Sequence, residues 1–331
     1  MDARLTAEQR DLRDTAARMA RKSAPLTVAG LGDQTRINQL ADDLTDSGLL
    51  ELRDLGSGPT SVEVALVTEQ LALAAAEASY LGPTLAVDLC RRAGVVAPAQ
   101  CTIALTADLA RIATQQDLPG SVAIDAGTAK CAIYLTSAGE NFGLACVPVN
   151  AGVGTLDLTR PMARPSSQDS NELEGASLTA DDLSAWRAFA HAVLSADLLG
   201  SARASHLAAV EYACGRTQYG RAVATFQAVQ HLLAESLVLL EGAQSAVNYV
   251  AWAVDAEPAD AAIDTALVSK LYCLTAARTI NEIAIQVHGG IGNTWECMIH
   301  VHLRRALLAG QILGDEATLI EELVDRRLKA A

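Results

Sequence analysis

Aromatic side chains are scarce, making up 4% of a chain that is 50% hydrophobic. Ala and Leu dominate the apolar fraction, a composition that favours closely packed helices over an aromatic-rich sheet sandwich. An excess of positive charge is also missing. The formal net charge of -14 argues against nucleic-acid binding, where a basic face supplies most of the affinity. It leaves room for a phosphorylated cofactor, which a few local arginines or a helix N-terminus can hold. The 7 cysteines, at 90, 101, 131, 146, 214, 273 and 297, form no C-x-x-C pair. They read as free, mostly buried thiols in a reducing compartment. No apolar run reaches the roughly 18–20 uncharged residues that a membrane span requires. The opening Met1-Asp2-Ala3-Arg4 leads into a charged amphipathic stretch, unlike a signal peptide. These absences predict a soluble cytoplasmic protein. A G-x-S-x-G elbow, a Walker loop and a strand-borne G-x-G-x-x-G are missing as well.

What is present falls into three textures along 331 residues, enough for one large domain or two to three compact ones. Residues 1–100 read as a helical domain. Thr6 and Gln9 form a capping box, after which Leu12, Ala16, Met19 and Ala20 recur at helical spacing. Gly56-Ser57-Gly58-Pro59 marks a loop, and a helix beginning near Ser61 is expected to run through Glu69, Leu71 and Leu73 to a stop at Gly82-Pro83. Residues 101–178 read as a small β-domain. Cys131, Ile133 and Leu135 alternate with Ala132, Tyr134 and Thr136; Phe142–Val149 and Gly154–Leu158 are strand-like, and Arg164–Gly175 reads as a loop. Residues 179–331 read as a four-helix bundle. Its long segments fall near 181–214, 225–255, 260–287 and 296–328, punctuated at Gly215, Glu257-Pro258 and Gly289-Gly290-Ile291-Gly292. Short turns between long helices make antiparallel neighbours.

Two motifs carry chemical interest. One is Arg216-Thr217-Gln218-Tyr219-Gly220 followed by Phe226-Gln227-Ala228-Val229-Gln230-His231; the other is Gln286-Val287-His288-Gly289-Gly290-Ile291-Gly292-Asn293-Thr294-Trp295-Glu296, with Leu303-Arg304-Arg305-Ala306 behind it. Gly289, Gly290 and Gly292 allow positive φ and close backbone approach between two helices. Arg216 can cap a helix C-terminus, where a cation complements the dipole, or reach a phosphate. Taken singly, these are an interhelical turn and a cap. His288 suits local packing, and the His300-x-His302 pair does not share a helix face, so it makes no metal site. Glu321-Glu322 with Arg326-Arg327 reads as a solvated helix face.

Together, on successive bundle helices, the two motifs resemble the acyl-CoA dehydrogenase family. The opening Leu5–Arg13 and the stretch from Glu63 to Pro83 are similar to helices of that family's N-terminal domain. The resemblance implies a mainly α fold with a small β-domain, in the order N-terminal helical domain, reduced β-domain, C-terminal four-helix bundle. It also implies flavin adenine dinucleotide (FAD) held across a subunit interface, with Arg216, Gln218, Gln227, Gln286, Gly289 and Gly290 in the half that a neighbouring bundle contributes.

Two departures from the family pattern shape the functional expectation. The family's flavin-contacting loop is rich in Ser, Thr and Gly and precedes a Trp-centred strand. Here Thr102–Thr106 begins like that loop but continues Ala107-Asp108-Leu109-Ala110, and the tryptophans are Trp186, Trp252 and Trp295, with none between 101 and 178. Oxidation of a thioester across Cα–Cβ also needs a desolvated carboxylate to take the α-proton as a hydride leaves Cβ for the flavin. The family's two base positions correspond to Ala190, beside His191, and to Leu313 before Gly314. Neither is acidic, although Asp197, Asp315 and Glu316 lie nearby. The resemblance therefore implies a short, non-catalytic subunit completing the FAD site of a catalytic sister, in an α2β2 assembly acting on an acyl-CoA, as in heteromeric actinobacterial dehydrogenases of the steroid-degradation type. Two alternatives stand beside it. One is a homomeric dehydrogenase using Glu316 or Asp315 as a displaced base; the other is a cofactor-free scaffold on the same fold. No metal, nucleic acid or membrane is expected.

Overall fold

The structure, a computed structural model, describes residues 4–330 apart from 55 and 57. Met1–Ala3 of the opening and Ser57 of the expected loop lie outside these. Four helices come first: α1 (Ala7–Lys22), α2 (Gln34–Asp46), α3 (Ser61–Leu73) and α4 (Leu81–Arg92). α1 starts at the capping box read in the sequence. Gln9 N donates to Thr6 Oγ1, Thr6 N donates to Gln9 Oε1, and Ala16 and Ala20 turn into the core. The Gly82-Pro83 pair does not stop a helix. α3 already ends at Leu73, with Ala75 in the left-handed region at φ 48°, and Gly82 and Pro83 lie in the first turn of α4. First-turn N–H groups have no intrahelical partner to lose, so proline is tolerated there. Gly82 answers to packing: a Cβ there would sit 2.6 Å from the Ile124 carbonyl oxygen.

Six strands follow: β1 (Cys101–Leu105), β2 (Val122–Ala123), β3 (Cys131–Ala138), β4 (Asn141–Val153), β5 (Met162–Pro165) and β6 (Asn171–Glu172). Their order is β3-β1-β2-β5-β4-β6, and β3 pairs with β4 as well, so the sheet curls into a small closed barrel with β6 on its flank. β1 and β3 are parallel, while the other pairs are antiparallel. The β3–β4 hairpin runs in register from Cys131 opposite Pro148 to Ala138 opposite Asn141. The barrel interior is mostly alanine (Ala104, Ala113, Ala123, Ala132, Ala145), filled out by Tyr134 and Val147. Two readings of this region change. The stretch 154–158 is a loop that carries the buried Asp157, and the expected loop 164–175 contains the end of β5 and all of β6.

The C-terminal helices are α5 (Ala180–Gly215), α6 (Gln227–Ala256), α7 (Ala259–His288), α8 (Ile299–Gln311) and α9 (Glu316–Ala330), with a hairpin of β7 (Thr217–Gln218) and β8 (Arg221–Ala222) between α5 and α6. α5 is the central element. It is buried almost continuously from Trp186 to Ala202 and packs against α3, α6, α7 and α8. The last expected segment, 296–328, is two helices. The chain breaks at Leu313 (φ 60°) and Gly314 (φ 109°), a conformation the α-helix cannot contain. α9 is also more than a solvated face: Arg326 pairs with Asp264 and Asp260 on α7, and Glu322 with Arg187 on α5 at 2.6 Å. No described helix is long and apolar enough to cross a membrane.

Candidate functional site

One end of the bundle gathers the motif residues. A small cluster of Ala209 and Ala213 from α5, Ile283, Ala284 and Val287 from α7, and Ile299 from α8 holds three helix ends together. The Tyr212 and His288 rings stack across it at 4.3 Å, and His288 Nδ1 bonds to the Ala284 carbonyl, so this histidine is occupied with packing. Arg216 caps α5, its N–H reaching Tyr212 O at 2.8 Å while its own carbonyl accepts from Val223 N at 2.8 Å. The hairpin that follows turns at Tyr219 (φ 51°) and Gly220 (φ 76°), where glycine removes the Cβ clash of left-handed backbone. Gln227 opens α6 and Gln286 lies on the last turn of α7.

The side chains of Arg216, Gln227 and Gln286 are exposed and make no hydrogen bond among the described residues, whereas Gln218 donates to Thr217 O. Gly289 (φ 67°) ends α7, and a Cβ at Gly289 or Gly290 would meet nothing within 4 Å, so this backbone is open to an approaching group. Gly292 has the opposite role, since a Cβ there would come within 3.0 Å of Ile285 O. A guanidinium, two amides and uncovered glycine backbone on one edge suit a phosphate-bearing cofactor. The bundle-side half of an FAD site fits the residues present.

The barrel-side half does not. Thr106 Oγ1 is engaged by Asp108, and Leu109 O accepts from Leu313 N at 2.8 Å, so the loop after β1 is tied directly to the break between α8 and α9. Where α5, α8 and the loop before β5 meet lies a buried ionic cluster that no sequence motif announces. Asp197 on α5 accepts from Arg160 at 2.9 Å and from Arg305 at 2.7 Å; Arg305 also donates to Thr159 Oγ1 and Ala76 O. These charges leave a void of about 10 Å³, room for about one water. Burial would raise the Asp197 carboxyl, but Arg160 and Arg305 outweigh it and hold the group below the usual carboxylate range. Asp197 is thus a committed counter-ion.

The two base positions converge on a different group. Ala190 is fully buried, and neither ring nitrogen of the neighbouring His191 has a partner. Burial pushes the His191 imidazole well below its ordinary value, and the charge of Lys270 adds to this. Lys270 donates to the carbonyls of Ile312 and Gly314, the latter at 2.7 Å, and so fastens the turn containing Leu313. Burial lowers its amine to about 7. A lone lysine in the apolar stretch Ala262–Ala277 was the sequence signal for this residue. Asp315 is an N-cap for α9: its Oδ1 accepts from Thr318 Oγ1 at 2.7 Å and Thr318 N at 2.9 Å, which lowers its pKa, the reverse of what a base needs. Glu316 begins α9 at the surface. Among the described residues no group of His, Cys, Asp and Glu could hold a metal.

A helical layer, a small barrel and a long-helix bundle in one chain, with a phosphate-suited edge at the bundle end, define the architecture of the acyl-CoA dehydrogenases. Residues 188–328, most of the bundle, match the family model of the acyl-CoA dehydrogenase C-terminal domain. Acyl-CoA dehydrogenase IpdE2 of Mycobacterium tuberculosis is 32% identical over 171 residues, 52% of this chain and 49% of that protein, so the chain spans about half the length of that relative. Among solved structures, a variant of the Tcur3481–Tcur3483 steroid ACAD superposes with a TM-score of 0.80 at 19% identity, covering 98% of each chain. The ChsE4–ChsE5 complex of Mycobacterium tuberculosis does so with 0.78 at 19% identity, covering 100% of each.

Proposed function

We propose that this chain is the non-catalytic subunit of a heteromeric, FAD-dependent acyl-CoA dehydrogenase, assembled as α2β2 in the cytoplasm. Arg216, Gln218, Gln227, Gln286, Gly289 and Gly290 complete the FAD site of a catalytic sister subunit. The bound flavin supplies the hydride acceptor for α,β-dehydrogenation of a CoA thioester, and the steroid and two-component character of the structural relatives favours a steroid-derived acyl group. The observation that carries the reading is an asymmetry within one chain. The bundle-side half presents uncommitted Arg216, Gln227 and Gln286 around open glycine backbone, while on the barrel side the loop after β1 lacks glycine, has Thr106 engaged by Asp108 and is tied through Leu109 to Leu313. Of the acidic residues near the positions that correspond to the family's base, Asp197 is held by Arg160 and Arg305, Asp315 caps α9 and Glu316 lies at the surface, whereas proton abstraction from carbon demands a free, desolvated carboxylate.

Flavin absorbance tests this. The chain purified alone is expected to be colourless, and the co-expressed pair to carry about one flavin per heterodimer. Arg216→Ala should lower retention of flavin by the pair without separating the subunits. Full loading of the chain alone would favour the homomeric enzyme and direct mutation to Glu316 and Asp315. A pair that never binds flavin would favour the scaffold.

A further inference from the structure

Away from the motif residues, α1, α3 and α6 enclose a groove with two continuous compartments of about 340 and 460 Å³. Its α6 wall begins at Gln244, seventeen residues beyond Gln227, or about 26 Å along the helix. The two compartments share Leu5, Leu66, Glu69 and Asn248. The first is mainly apolar, with Leu66, Val247 and Trp252 in its walls. The second carries Arg13, Arg21 and Arg203.

In a chain of net charge -14 this is a local reversal of sign. Arg4, Arg13, Arg21 and Arg203 line the groove against Asp14 and Glu69. Arg203 is built into the wall: it donates to Glu69 Oε1 at 2.9 Å and to Gln244 Oε1, and Glu69 is only 6% exposed. Arg13 pairs only with its neighbour Asp14, and Arg21 has no side-chain partner among the described residues. Both compartments are in the size range of small-molecule sites, roughly 300–1,000 Å³. Arg203 and Arg13 are each paired with a carboxylate, Glu69 and Asp14, but with Arg21 the second compartment carries more cations than carboxylates, and an apolar cleft leading to such an excess favours a ligand with the matching division.

We infer that this groove binds an amphipathic anion, its compact apolar body against Trp252 and its carboxylate facing Arg13, Arg21 and Arg203. The site is separate from the edge assigned to FAD, and the inference stands independently of the subunit reading.

Sodium cholate, a ring-bodied carboxylate, is a suitable probe when titrated below its micelle concentration into the full chain by calorimetry and tryptophan emission. Saturable binding to one site is expected, with a change in emission that Trp252→Phe removes while the heat of binding persists. The double variant Arg13→Gln, Arg21→Gln alters only groove-rim side chains, and circular dichroism confirms its fold. It should bind cholate roughly tenfold more weakly. Octyl glucoside, an uncharged amphiphile, should bind at least tenfold more weakly than cholate. Absence of saturable cholate binding, equal affinity in the double variant, or equal affinity for octyl glucoside would each overturn the inference.

Discussion

Fully buried lysines are rare in soluble proteins, and Lys270 shows what one can do at a helix break. The turn between α8 and α9 leaves the Ile312 and Gly314 carbonyls pointing inward, and the amine supplies both donors. The folded-state value of about 7 lies below the ordinary 10.5. Between those values the unfolded chain binds more protons than the folded one, so stability rises with pH across that window, by up to ~1.4 kcal/mol per unit. Lys270→Met should lose this slope, which urea denaturation from neutral to alkaline pH would reveal; an unchanged slope would assign it to other groups. Asp197 is the complementary case. Asp197→Asn leaves Arg160 and Arg305 buried without their shared counter-ion, and loss of one partner of a buried pair costs about 3–5 kcal/mol. Urea midpoints measure it directly. Neither role follows from sequence spacing, because Arg160, Asp197 and Arg305 meet only when a barrel loop, α5 and α8 are brought together.

At the scale of elements, the packing of α3 on α5 rests on Gly200. A Cβ there would lie 2.4 Å from Glu69 O and 2.7 Å from Ala72 Cβ, so the two helices cannot keep their separation around a larger residue. Gly200→Ala should destabilise by about 1–3 kcal/mol, read as a lower Tm; no loss would mean that α3 can move aside. Much of the element order was legible because it is written locally. The Thr6 capping box, the β3 alternation and the long apolar segments of α5, α6 and α7 each lie within a few turns of chain. The errors fell where the deciding contact is distant. Gly82-Pro83 resembles a stop until Ile124 is seen to require a glycine at the start of α4. The 296–328 segment is one apolar helix in pattern, and its break at Leu313 is held from α7 by Lys270 and from the barrel by Leu109. The site shows the same division. The residues proposed for the cofactor site, from Arg216 to Gly290, stand in short contiguous segments at adjoining helix ends, whereas the groove of α1, α3 and α6 leaves no contiguous signature.

For the whole molecule, the question is whether the bundle end is finished as it stands. Tyr219 is 94% exposed, Trp295 63% and Ile291 40%, all within the two motif segments that carry Arg216, Gln227 and Gln286. Tyr219 is not loose: its ring meets Phe226 edge-on at 6.2 Å, and Phe226 lies under Arg221 at 4.2 Å. Trp295 is likewise held between His300 and Arg304. Aromatic and arginine side chains fixed in place yet exposed are the composition of binding hot spots, and their preorganisation reduces the ordering cost of association. If this end meets the sister subunit, Tyr219→Ser with Trp295→Ser should leave the Tm of the isolated chain nearly unchanged, because neither ring belongs to the core. The same double variant should weaken association with the sister subunit by at least roughly tenfold, as measured by light scattering over a dilution series, and flavin should be lost from the pair in parallel. Undiminished association would place the subunit interface elsewhere on the bundle, and retained flavin with it would remove this edge from the cofactor site.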